Sequence, residues 1–121
     1  MTERRPHWVY DAGEEPDPRF TLANERTFLA WVRTALAMLA GAVALHQLGV
    51  PGSQLLRTII VVALVLLAGL ICALSWWRWA SVEKAMRERG PLPSFVLGLW
   101  ITVAIVLVSA LLAVALAVTP T

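Results

Sequence analysis

The sequence predicts an all-α membrane protein with three transmembrane helices per chain, N-terminus in and C-terminus out, packed as an oligomeric helical bundle. Three observations lead there. Apolar residues make up 59% of the 121-residue chain, against about 45–50% in soluble domains. They are gathered into three long runs instead of short amphipathic stretches, the pattern of side chains covered by lipid. All ten Lys and Arg residues lie before Gly90 and flank the runs, leaving the last run without charge.

Taken in order, residues 1–16 hold Arg4, Arg5, Asp11, Glu14 and Glu15 with Pro6 and Pro16 and show no periodicity, which predicts a mobile cytoplasmic tail. Trp8 and Tyr10 are its two rings suited to a membrane surface. No short apolar core or small-residue cleavage site marks a removable leader. The transmembrane domain is expected at 17–119, with helices at about 18–48, 55–79 and 94–118. Asp17 followed by Pro18 is a helix start, because the carboxylate accepts from exposed backbone N–H groups and proline has none to lose. Only the later part of that helix is apolar enough to cross a hydrocarbon core, which takes about 20 residues. Gly49, Pro51 and Gly52 make a turn. The second span has no charge between Arg57 and Arg78, and Trp76, Trp77 and Trp79 mark its end. Glu83, Lys84, Arg87, Glu88 and Arg89, ahead of Gly90, Pro91 and Pro93, read as a charged loop with exposed ion pairs. The third span carries no charged residue.

Orientation follows from the basic residues near each span: five through Arg33, four from Arg78 to Arg89, one (Arg57) in the turn between the first two spans and none after the third. The basic ends face the cytoplasm, so the chain is expected to be multi-pass in the plasma (bacterial inner) membrane.

Arg19, Arg26 and Arg33 are seven apart, so each lies within about 20° of the one before and the three form a stripe on one helix face. Glu25 lies beside the stripe and Asn24 well away from it. One reading has Arg33 snorkelling to lipid phosphates while Arg19 and Arg26 make ordinary positive-inside contacts. The other turns the stripe toward its copies in an oligomer, where it must line water or meet an anion, because guanidinium groups repel across a dry interface. Arg78, ending the second span, sits at a similar depth. Small residues at 37–41, 69–73 and 109–113 offer helix contact faces. Lone Cys72 reads as a small buried residue, and His46, near the outer end of the first span, as interfacial. No catalytic set, metal-ligand cluster or phosphate-binding glycine loop is present, so no enzyme activity, cofactor, metal or nucleic-acid partner is expected.

The stretch from Asp17 to Thr34, with Asn24-Glu25-Arg26-Thr27-Phe28-Leu29-Ala30-Trp31 at its centre, resembles the opening of the YidH-like family, domain of unknown function 202. The resemblance runs from Asp17 through the third span, and the family's bacterial members are small inner-membrane proteins. The chain is also similar to the membrane domain of the eukaryotic vacuolar transporter chaperone, a pentamer around a polyphosphate-conducting pore. That resemblance implies pore-facing roles for Arg19, Arg26 and Arg78, a homo-oligomer of five, and phosphate or polyphosphate as the anion. Arg33 departs from the eukaryotic pattern, which is neutral there, and the polymerase domain is missing. Two expectations stay open: an anion-conducting homo-oligomer, or a non-conducting scaffold or accessory subunit whose arginines bind anionic membrane lipid or a partner protein.

Overall fold

The computed structural model describes residues 4–118, and its elements in chain order are α1 (His7–Tyr10), α2 (Pro18–Leu48), α3 (Gln54–Arg87) and α4 (Val96–Val118). Thr119, the last residue of the expected transmembrane domain, and the first three residues of the expected tail lie outside the described residues. Three helices, α2, α3 and α4, are long and apolar enough to cross a membrane, as the sequence predicts.

Asp17 caps α2 by accepting from the Arg19 backbone N–H at 2.9 Å, with Pro18 in the first turn. Gly49 ends it in the left-handed conformation (φ 67°), which glycine adopts without a Cβ clash, and its N–H returns to the His46 carbonyl. Ser53 caps α3 through the Leu56 N–H.

Two boundaries differ from expectation. The second long helix does not stop at Trp79 but continues to Arg87, through residues read as a charged loop. Ala80, Glu83, Lys84, Ala85, Met86 and Arg87 are good helix formers, and charge alone does not end a helix. Lys84 and Arg87 in the last turn also suit the negative end of its dipole. The third helix starts at Val96, and Ser94 and Phe95, expected as its first residues, lie outside it.

At 1.5 Å per residue α2 is about 46 Å long, α3 about 51 Å and α4 about 35 Å. A hydrocarbon core of about 30 Å is therefore outreached by α2 and α3, and the antiparallel pair projects beyond the apolar spans at its basic end. In the apolar part the pair meets through Ala35 on α2 and Ala68 and Ile71 on α3, with Ile101 of α4 added and Trp31, Met38, Leu67, Cys72 and Leu97 around them. Most of each span remains exposed in the single chain.

The segment read as a mobile tail is packed in the structure. Val9 is fully buried, the Trp8 ring lies 5.6 Å from Trp77, and Tyr10 lies 6.3 Å from Trp79. The helical projection of α3 supplies the surface that this segment covers.

Candidate functional site

The two sides of α2 have opposite chemistry. Asn24, Ala35 and Ala42 are its buried residues, with Thr21, Phe28, Trp31 and Met38 half-buried, and all lie on one face. At 100° per residue the stripe of Arg19, Arg26 and Arg33 is about 140–180° from that face. All three arginines are exposed, pointing away from α3. Arg19 is tied to its own helix cap, donating to Asp17 Oδ2 at 3.0 Å. That bond and the Arg19 backbone N–H hold the Asp17 carboxyl below its usual range. Arg26 and Arg33 have no carboxylate partner among the described residues. Toward the far end of α2 the same face continues as Ala37, Ala40 and Ala44, all exposed.

Arg78 is not brought to the stripe within one chain. Its Nη1 donates to the Ser94 carbonyl at 3.4 Å and its guanidinium lies 4.7 Å from the Phe95 ring centroid. It lines a crevice with Asn24, Thr27, Trp31, Ser75 and Trp79, on the α3-facing side of α2. Trp31 stands 5.8 Å from Phe95, so the motif tryptophan helps seat the segment leading into α4. Glu25 is exposed to one side of the packed face, in a groove of about 290 Å³ with Phe28, Leu29, Trp76 and Trp79.

The projecting pair is locked by polar contacts that the sequence did not disclose. Asn24 Nδ2 donates to the Trp79 carbonyl at 3.0 Å, so this motif residue ties α2 to α3. Glu83, read as exposed, is fully buried; its Oε1 accepts from Thr21 Oγ1 at 3.0 Å and its Oε2 has no hydrogen-bond partner. Arg87, also read as exposed, is 5% exposed. It donates from Nε to the Ala12 carbonyl at 3.0 Å and from Nη2 to the Tyr10 carbonyl at 2.9 Å, and Nη1 lies 3.6 Å from Glu15 Oε1. Glu14 N–H returns to the Arg87 carbonyl at 2.8 Å. Gly13 permits this approach: its φ is 52°, and a Cβ there would overlap the Arg87 carbonyl. The bonds from Arg4, helped by Arg87, lower the Glu15 carboxyl to about 2. The missed signal was spacing: Trp79, Glu83 and Arg87 are four apart and so share a helix face.

His46 is exposed, Cys72 is half-buried beside the apolar contact, and Gly41 and Gly69 face open space. Among the described residues no group of three or more His, Cys, Asp or Glu is placed to hold a metal ion.

A family model described as a domain of unknown function (DUF202) matches residues 19–85, which hold the stripe, the motif and Arg78 and stop short of α4. The chain is 53% identical to the uncharacterized protein Rv2272 of Mycobacterium tuberculosis over 83 residues, which are 65% of this chain and 66% of that relative, just under two thirds of its length. It is 48% identical to the inner membrane protein YidH of Escherichia coli K12 over 82 residues, 67% of this chain and 71% of that protein. No solved structure matches it.

Proposed function

This chain belongs to the DUF202 family, and from that premise we propose that it is a homo-oligomeric inner-membrane protein whose α2 helices surround a wet axis that passes phosphate-containing anions. One observation carries the reading: Arg19, Arg26 and Arg33 occupy the face of α2 opposite the one packed on α3, so the fold leaves them for something outside the chain. Two features support an axis over lipid. Arg33 lies inside the apolar part of α2, where a charge is costly against hydrocarbon and is relieved by water or an anion. Beyond it the face is Ala37, Ala40 and Ala44, small side chains that let copies of α2 approach closely.

In this arrangement the basic ends face the cytoplasm, as the distribution of Lys and Arg favours. Rings of guanidinium groups form an electropositive mouth, and Arg78 joins it only across a boundary between copies. A pentamer is the subunit number drawn from the resemblance to the vacuolar transporter chaperone. The tie between Arg19 and Asp17 favours the second reading, a non-conducting scaffold holding anionic lipid or a partner, because it removes one cation from the stripe.

Flux from proteoliposomes separates the two. The pore reading expects phosphate efflux from wild-type protein and its loss in Arg26→Ala, an exposed substitution that leaves the helix contacts untouched. Cation-selective flux, or none in either protein, overturns it.

A further inference from the structure

Most carboxylates among the described residues have a partner. Glu15 meets Arg4 and Arg87, Glu14 meets Arg89, Asp17 meets Arg19, Asp11 lies 3.5 Å from His7, and Glu83 meets Thr21. Glu88 is exposed on the turn that ends α3. Glu25 shares with Glu88 the lack of a side-chain partner among the described residues and differs from it in its surroundings. It adjoins an arginine stripe, and what surrounds it is aromatic.

The groove holding Glu25 is lined by Phe28, Leu29, Trp76 and Trp79. Trp76 and Trp79 stand 6.3 Å apart with their planes tilted by 39°. Indole faces attract cations, and a carboxylate beside them completes the charge complement for an ammonium group. Trp76, Trp77 and Trp79 also occur where the apolar run of α3 gives way to charge, the depth at which indole rings meet lipid headgroups. Leu36 and Val43 continue from Leu29 along the same side of α2, within about 40° of one another by helical geometry. All three are more than half exposed, a track for an acyl chain directly below the groove.

We propose that Glu25, Trp76 and Trp79 form a binding site for a zwitterionic phospholipid, its headgroup ammonium in the groove and an acyl chain along Leu29, Leu36 and Val43. The site is independent of the pore reading, because it faces the side of α2 between the stripe and α3.

The test reconstitutes the full chain in bilayer nanodiscs of equal phosphatidylethanolamine and phosphatidylglycerol, extracts it gently and counts retained lipids by native mass spectrometry. Wild type is expected to retain phosphatidylethanolamine preferentially, and Glu25→Gln to reduce that enrichment about fivefold, in line with a cation held by rings and one carboxylate. Trp76→Leu should act in the same direction, and circular dichroism checks that both variants keep their helices. Equal retention of the two lipids by wild type overturns the proposal, as does enrichment unchanged in Glu25→Gln. An altered subunit number in Glu25→Gln with lipid retention intact also overturns it, assigning the carboxylate to an arginine of a neighbouring copy.

Discussion

The projecting end of the α2–α3 pair and its apolar part are held together differently. At the projecting end, side chains reach specific atoms: Asn24 a carbonyl, Glu83 a hydroxyl, Arg87 two carbonyls of the N-terminal segment. In the apolar part the contact is Ala35 against Ala68 and Ile71, and the buried Ser75 hydroxyl donates within its own helix to the Ile71 carbonyl. The contrast follows from the solvent. Outside the hydrocarbon, burying apolar surface such as Val9 is favourable and the polar groups enclosed with it must be paired. In lipid, apolar burial against another helix gains little, so close approach of small side chains sets the contact and most of the surface stays free for lipid or copies.

The largest test of that contrast is Arg87→Ala. It leaves the Tyr10 and Ala12 carbonyls without their donor, which is expected to weaken docking of the N-terminal segment by about 2–4 kcal/mol. Hydrogen exchange at the Asp11 to Glu14 amides should then rise roughly 30-fold or more, while amides of α2 near Ala35 are unchanged. Uniform change at both ends would erase the distinction between them.

A smaller effect tests the apolar part. Ala68 is 1% exposed within the contact, so Ala68→Leu overpacks it and is expected to cost about 1–3 kcal/mol. Gly69, next in sequence, has open space where a Cβ would go. Gly69→Ala should leave the chain's own thermal stability in detergent level or slightly raised. A fall in subunit number in that variant alone would assign Gly69 to contacts between copies.

The smallest effect is one of pH at the projecting end. The Glu15 carboxyl is lowered from 4.5 to about 2 by the hydrogen bonds from Arg4. Its contribution is therefore complete above about pH 4.5 and is lost as pH falls through about 2. The protection factor of the Glu14 amide, exchange corrected for its intrinsic pH dependence, should fall across that window in wild type. The Glu15→Gln variant should be flat there; an equal pH response in the variant would remove Glu15 as the cause.

Much of this protein is legible in its sequence. Run length and the flanking charges mark three long apolar helices, Asp17-Pro18 marks where α2 starts, and sevenfold spacing places Arg19, Arg26 and Arg33 on one face. Each of these is local, because a helix advances by a constant angle and rise per residue, so face and depth follow from chain position alone. The rotation of one helix against another is not local. It depends on contacts between residues 55 or 62 apart in sequence, such as Asn24 with Trp79 and Thr21 with Glu83. That rotation turned the arginine stripe away from α3, put Arg78 on the other side of α2, buried Glu83 and Arg87, and drew Trp76 and Trp79 around Glu25.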